Sequence, residues 1–315
     1  TETGNNALGY WIDNAPGPIL SVQETIDKQK RNVKTRIDPM LQSTPRLAEK
    51  VAEKRRGDGD NTLFAKSFPG GYLILAGANS AAGLKSMPAR YLFLDEIDGY
   101  PDDLEGEGDP IALALARTRT FRKRRKVLYV SSPTTEGRSK IARGYEGTDR
   151  RRYFVPCPFC NHMQVFTWSR IKFEIEDRSV PARYQCEACG RLIDEHHKTA
   201  MMAWDRAEWR PTAESRDPEV RGYHISSLYS PVGWYSWNDA RDDWIAAMKP
   251  YDQEKHRTFT NTVLAETWKE QGDAPEWERL YRRREKYTPG TVPAGGLFLT
   301  AGADVQADRV EIEVV

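Results

Sequence analysis

Residues Tyr91–Asp98 read Tyr-Leu-Phe-Leu-Asp-Glu-Ile-Asp: four apolar residues running directly into carboxylates. An apolar run this short, closed by polar residues, reads as a strand buried on both faces. The pattern recurs nearby. Val127–Val130 is a second such strand and runs into Ser-Ser-Pro-Thr-Thr-Glu-Gly. Upstream, Ile19–Val22 follows an Ala-Pro-Gly-Pro turn, and Phe68–Ser80 (FPGGYLILAGANS) is a Gly-rich turn feeding a strand. Between them Ala7–Asp13, Ile26–Met40 and the TPRLAEKVAEK run carry helical spacing, and Pro110–Thr120 is compatible with a helix. Short apolar strands alternating with helices predict an α/β fold, a P-loop-NTPase-like mostly parallel sheet with helices on both faces. Ligands of such sheets bind at the carboxyl ends of the strands.

Those ends carry the candidate chemistry. Asp95 closes the first strand, as in a Walker B strand, where a carboxylate holds the Mg²⁺ shell of a bound nucleotide. Its neighbour Glu96 is placed to polarise the attacking water. Read blandly, the stretch is an acidic loop after a core strand. Ser131, Ser132, Pro133 and Thr134 follow the second strand. Their hydroxyls could face a γ-phosphate or DNA and couple the two, or form a plain Ser/Thr turn. The phosphate loop G-x-x-x-x-G-K-[ST] is not found in the sequence. Thr1 stands just before the Ala7–Asp13 helix, where such a loop would end. It is the candidate for the loop's Mg²⁺-binding hydroxyl, with the phosphate-binding lysine expected before residue 1. The chain has no initiator Met and closes in the strand-like run EIEVV, so it reads as cut at both ends and inactive alone.

The sequence has 315 residues, 39% apolar and 30% charged, with a net charge of +1, which fits a globular protein with a wet surface. Its apolar runs are strand-sized, far short of the roughly 20 residues a membrane helix needs, and no secretory leader pattern is visible. Charge is segregated along the chain. Tyr91–Ala116 holds eight carboxylates and no Lys or Arg, whereas Arg117–Lys126 holds seven cations. Either these are solvated faces, or a metal-attracting edge lies beside a phosphate-contacting one. Arg117, Arg119 and Arg122 are candidates for an arginine acting on a neighbouring subunit's nucleotide.

The character of the chain changes after about Asp149. Cys157-Pro-Phe-Cys160 and Cys186-Glu-Ala-Cys189 form two C-x₂-C pairs that account for every cysteine. This spacing suits tetrahedral Zn²⁺ in a closed structural site, with Gly190 in the turn after the second pair. A disulfide pairing is the alternative, though nothing in the sequence points to an oxidising compartment. His162, His196 and His197 read as surface residues. Most Trp and Tyr residues lie in 201–290, where Trp237–Met248 and Phe259–Gln271 are predicted helices. A Pro/Gly hinge over Thr288–Gly296 leads into LFLTAGADV and RVEIEVV, two strands joined by a turn at Gln306–Asp308. Asp304 sits in the first of them, either a turn residue or the first acid of a two-metal nuclease.

Eight stretches together resemble the large terminase subunits of tailed phages, lambda type. They are GNNALGYWIDNAPGPIL (Gly4–Leu20), RIDPMLQSTPRL (Arg36–Leu47), GGYLILAGANSAAGLKSMPARYLFLDEID (Gly70–Asp98), SSPTTEG (Ser131–Gly137), RRYFVPCPFCNHMQ (Arg151–Gln164), GYHISSLYSP (Gly222–Pro231), FTNTVLAETW (Phe259–Trp268) and LTAGADVQADRVEIEV (Leu299–Val314). The resemblance spans essentially the whole chain. It implies an ATPase domain over 1–149 without its phosphate-loop lysine, a zinc ribbon over 150–200, a helical and aromatic linker region over 201–296, and the first strands of an RNase H-like nuclease over 297–315.

The implied activity is ATP-driven translocation of double-stranded DNA into a procapsid, with endonucleolytic cutting of concatemeric genomes. It would use Mg²⁺ with ATP, structural Zn²⁺, and Mg²⁺ or Mn²⁺ at the nuclease. Implied partners are double-stranded DNA, a small subunit, the portal and procapsid, and further copies in a ring, in the host cell cytoplasm and without a membrane. Glu24 and Lys85 depart from the family pattern, which often has Pro and Arg there. A helicase-like ATPase without a nuclease explains both strand ends but leaves Asp304 without a role. A non-enzymatic zinc-ribbon nucleic-acid-binding protein explains the cysteines and the basic run but not the two strand ends.

Overall fold

The computed structural model describes residues 1–51, 62–85, 87–270, 290–292, 300–305 and 310–314, with 304–305 and 310–314 as backbone only. The chain divides into two compact units, Thr1–Lys269 and Glu270–Val315.

The first unit opens with helix α1 (Glu2–Asn14) and strand β1 (Ile19–Gln23). Thr25 caps α2 (Ile26–Asn32) by accepting a hydrogen bond from the Lys28 amide, and a π-helical turn (Val33–Ile37) carries that helix into α3 (Asp38–Ser43) and α4 (Pro45–Lys50). Strands β2 (Ala65–Phe68) and β3 (Gly71–Gly77) form a hairpin through Gly70, whose φ of 86° suits a residue without a Cβ. Then come α5 (Ala81–Lys85), β4 (Tyr91–Asp95), α6 (Pro110–Ala116), β5 (Lys126–Val130) and α7 (Lys140–Glu146). The sheet order is β2-β3-β1-β4-β5, with β1 parallel to both β3 and β4, and β4 parallel to β5. The expected mostly parallel sheet is therefore present. The antiparallel β2 was not anticipated, because Ala-Lys-Ser-Phe is short and mixed.

Helices cover both faces. Ile19, Leu73, Tyr91 and Phe93 pack with α1 and with the helices between β1 and β2. Leu20, Val22, Leu92 and Leu94 pack with α5, α6 and the turn after β4. All five residues of β1 and of β4 are buried, which is why β4 reads as an unbroken apolar run before Asp95 and β1 as one interrupted only by the small Ser21 before Gln23.

The second part of this unit starts at β6 (Arg151–Pro156) and continues through β7 (Met163–Gln164), β8 (Ile171–Lys172), β9 (Arg183–Gln185), β10 (Leu192–Ile193) and α8 (Lys198–Met201). It is completed by β11 (Glu208–Arg210), β12 (Tyr223–His224), α9 (Trp237–Met248) and α10 (Gln253–Thr258), the last extended by a π-helical turn, Phe259–Val263. One core runs through it, including Val155, Phe166, Tyr184, Leu228, Trp237 and Phe259, so packing is continuous across residue 200. The helix predicted over Phe259–Gln271 is corrected here: helical structure ends at Val263. Ala265 takes a left-handed φ of 56°, and the backbone of Trp268 forms a bridge to Thr135 instead of a further turn. Gln271 lies outside the described residues.

In the second unit β13 (Ala301–Val305) pairs antiparallel with β14 (Val310–Val314), placing Asp304 opposite Glu311. The turn expected at Gln306–Asp308, and the hinge apart from Gly290–Val292, lie outside the described residues. Among the described residues no helix is long and apolar enough to cross a membrane.

Gly4 is where α1 meets the sheet. A Cβ there would lie 1.9 Å from Cζ of Phe93. Helix propensity favours Ala over Gly by about 1 kcal/mol, but overpacking a filled core costs about 1–3 kcal/mol. Gly4→Ala should therefore lower the melting temperature, while Gly144→Ala, in a helix with open space at that position, should not. Thermal unfolding of the two variants checks this contrast.

Candidate functional site

The carboxyl ends of β1, β4 and β5 converge beside the start of α1. Asp95 is fully buried there. A buried carboxylate needs partners, and Gln23, at the end of the neighbouring β1, donates from Nε2 to Asp95 Oδ2 at 2.8 Å. The other oxygen, Oδ1, takes no hydrogen bond among the described residues and lies 3.6 Å from the Thr1 backbone nitrogen. Thr1 and Asp95, nearly a hundred residues apart in sequence, are thus brought together. Gln23 went unremarked in the sequence. Its only signal is a polar residue closing the strand ILSVQ, which the β1–β4 register sets beside Asp95.

Glu96 is half-buried and adopts a left-handed backbone, φ 55°, which turns the chain sharply off the end of β4. Burial first, and then the charge of Asp95, raise its carboxyl above the ordinary glutamate range, while the Ser132 backbone amide works in the opposite direction. Beneath them, Tyr100 donates from its hydroxyl to the Val22 carbonyl at 2.8 Å, and burial pushes that phenol far above its usual value. Glu24 pairs with Lys28 and leaves no room for a Cβ at Gly99, so the departure from Pro at position 24 is accommodated by a local ion pair.

The segment after β5 is held by an acid that the sequence reading did not single out. Asp98 Oδ2 accepts from the Thr134 amide at 2.9 Å and from the Thr134 hydroxyl at 2.8 Å, and Oδ1 accepts from the Ile141 amide at 2.8 Å. The Asp98 amide donates to Ser131 Oγ at 3.2 Å. Pro133 is buried and Ser132 exposed. Of the basic run, Arg117 donates to the Lys85 carbonyl, whereas Arg119 and Arg122 are exposed. Lys85 itself pairs with Glu107.

The four cysteines form one cluster, with all Sγ atoms within 4.8 Å of one another. Cys157–Cys189 and Cys160–Cys186 are 3.9 and 3.8 Å apart. A tetrahedral four-thiolate site with metal–sulfur bonds of about 2.3 Å has edges of about 3.8 Å, so the spacing fits Zn²⁺ and is far too long for disulfides. Each pair sits in a tight turn closed by backbone bonds. Asn161 (φ 58°) plays in the first the part that Gly190 (φ 70°) plays in the second. Cys157 and Cys186 are fully buried members of the aromatic core. As free thiols the two buried cysteines divide: burial pushes Cys157 up, whereas at Cys186 burial is outweighed by the amides of Cys189 and Ala188 and the Cys157 thiol, which bring it down. His162 and His196 are exposed and His197 partly so, none within the sulfur cluster.

His224 stitches the same part of the molecule. Arg152 can only donate and the Ala265 carbonyl can only accept, so Nδ1 is bare and Nε2 carries the proton. Burial, then the Arg152 charge, hold this imidazole down at about 4, and it is neutral at pH 7.

Residues 1–209 match the family model described as phage terminase large subunit gpA, ATPase domain, and residues 220–315 match that of the gpA endonuclease domain. The second match begins between β11 and β12, well before the expected start of the nuclease at 297. Among curated proteins the chain is 28% identical to the terminase large subunit of Enterobacteria phage P21 and 29% identical to that of Escherichia phage lambda. In each case 97% of this chain and 50% of the relative are covered. The chain thus spans about half the length of the curated relatives it matches. Among solved structures, the large terminase ATPase domain of Thermus phage P74-26 aligns at 13% identity and a TM-score of 0.42, over 84% of this chain and 82% of that one. The large terminase of a thermophilic bacteriophage aligns at 19% identity and a TM-score of 0.31, over 42% and 30%.

The raised Glu96 carboxyl has a stability consequence. Between the unfolded and folded pKa values the native state holds more protons than the unfolded state, so stability falls as pH rises through that window. Glu96→Gln removes the penalty. The variant should melt above wild type at pH 7, and the gap should close below about pH 4.3, the ordinary glutamate value. Paired melting curves across that range check it.

Proposed function

The chain belongs to the gpA family of phage terminase large subunits, and on that premise we propose that the protein it forms part of pumps double-stranded DNA into a procapsid by hydrolysing ATP and cuts concatemeric genomes. The observation that carries the ATPase reading is the fully buried Asp95, held on one oxygen by Gln23 and open on the other toward Thr1 and the start of α1. That open, buried oxygen suits a cation. Asp95 and the Thr1 hydroxyl would hold Mg²⁺ with ATP, whose charge neutralises the phosphates. Glu96, beside it, accepts the proton of the attacking water; burial and the Asp95 charge make it a stronger base than an ordinary glutamate. The exposed hydroxyl of Ser132 and the locked Ser131 and Thr134 face the same strand ends, which supports Ser131–Thr134 as the coupling segment.

Residues 1–149 supply this nucleotide chemistry in our reading. Residues 150–200 form a zinc ribbon in which Cys157, Cys160, Cys186 and Cys189 hold a structural Zn²⁺, and 201–296 are the linker region to the nuclease, its part up to Leu264 sharing the ribbon's core. From 297 the β13–β14 hairpin opens an RNase H-like nuclease with Asp304 as its first acid, using Mg²⁺ or Mn²⁺. The endonuclease-domain match over 220–315 favours this over a helicase-like ATPase without a nuclease. The expected partners are DNA, a small subunit, the portal and further copies in a ring, in the host cell cytoplasm. Arg119 and Arg122, exposed on the basic run, are the arginines placed to reach a neighbour.

In the full-length protein, Glu96→Gln should bind ATP with near-normal affinity and lose hydrolysis by about 10²-fold or more, the usual contribution of a positioned base. Retained turnover would show that another residue activates the water. Atomic emission should find one zinc per chain. Structural zinc contributes on the order of 10 kcal/mol in zinc-finger peptides, so Cys186→Ser should lose the metal and collapse the 150–268 core; unchanged melting after chelation would refute the zinc assignment.

A further inference from the structure

The segment after β5 is gripped from two sides. On one side stands Asp98, which accepts from the amide and hydroxyl of Thr134. On the other side the Thr134 carbonyl accepts from Asn261 Nδ2 at 2.8 Å and from the Trp268 amide at 2.9 Å. The Glu136 amide donates to the Trp268 carbonyl at 2.8 Å, and Thr135 and Trp268 form a parallel bridge. Asn261 uses its second N–H on the Glu266 carbonyl at 3.0 Å, which fixes the chain just before Trp268. The Trp268 ring is buried, edge-on to His256 at 5.1 Å, and His224 holds the Ala265 carbonyl at 2.9 Å.

Thr134 therefore has its N–H and hydroxyl committed to one partner and its carbonyl to others. Such a peptide cannot rotate without breaking bonds on one side or moving the groups on the other. Asp98 lies on the same tight turn as Glu96, and Ser132, two residues before Thr134, turns its amide toward Glu96. A shift at the strand ends thus displaces Thr134, and with it the chain at Glu266–Trp268. Lys269 is the last residue before the Glu270–Val315 unit.

We propose that Asp98, Asn261 and Trp268 are positioning residues that make Thr134 a pivot, carrying nucleotide occupancy at the ends of β4 and β5 to the segment entering the nuclease half. This rests on the ATPase reading above. The nuclease-side stretch FTNTVLAETW then has a task of its own: its Asn and Trp grip the ATPase.

Two measurements on the full-length protein test it. The first is steady-state ATP hydrolysis with and without double-stranded DNA. Asn261→Ala should keep the KM for ATP and the DNA-free kcat within about twofold, yet lose about fivefold to tenfold of the DNA stimulation, the effect of about one hydrogen bond. Asn261→Asp, whose carboxylate would be repelled by the Thr134 and Glu266 carbonyls, should lose at least as much of the DNA stimulation. The second is amide hydrogen exchange with a non-hydrolysable ATP analogue and Mg²⁺. In wild type the amides of Glu136 and Trp268 should gain protection together with those of Ser131 and Ser132; in Asn261→Ala the response should stop at Thr134. Full DNA stimulation and a joint exchange response in Asn261→Ala would overturn the pivot while leaving the ATPase reading intact. A wild-type protein without ATP hydrolysis would overturn both.

Discussion

A carboxylate with no access to water organises the nucleotide half of this molecule. Leaving an ionised group unpaired in a protein interior is costly enough that the surrounding chain must answer it. Asp95 is answered by Gln23 from the adjacent strand, and its other oxygen faces Thr1, the N-cap residue of α1. The register between β1 and β4 follows. Both strands are buried on both faces, so a slip of one residue would exchange the side chains of the two cores and carry Gln23 away from Asp95. The same arrangement sets the position of Glu96, because its own left-handed backbone is what turns the chain, and its carboxylate, off the end of β4.

The other half depends on aromatic packing organised around sulfur. Phe166 meets Tyr184, Tyr229 and Trp237 within 4.8–5.4 Å, and Trp168 meets Phe173 and Phe259 within 5.0–5.6 Å. Cys157 and Cys186 belong to the same core. The cysteine-bearing strands and the helices that follow them are thus one packed body, in which two of the four clustered cysteines also serve as apolar contacts.

What the sequence disclosed depended on how local each signal was. The clustering of the two C-x₂-C pairs is legible because the two-residue spacing brings both sulfurs of each pair into one tight turn, and the buried strands because burial on two faces writes an apolar run. Helix Trp237–Met248 was legible to the residue, with Ser236 and Asp239 as a capping box. Gln23 and Asp98 were not, since their roles exist only once neighbouring strands and loops are in register. Asn161 was missed because a left-handed Asn leaves a weaker trace than Gly190 in the matching turn. The false helix after Val263 kept a helical pattern of apolar residues that tertiary bonds to Thr134 and His224 override.

The bridge between Thr135 and Trp268 also closes the chain on itself. From β6 onward the chain leaves the nucleotide-binding sheet, and at Trp268 it returns to within one hydrogen bond, 2.9 Å, of Thr134. Topologically the ribbon-bearing body is a cassette with adjacent ends, tethered at both, and not a bead on a string. A segment of that kind can be lengthened or exchanged without re-routing the backbone of its host, provided that α7, whose Ile141 amide rests on Asp98, stays with the sheet, and the entropy of closing so large a loop changes only slowly with its length.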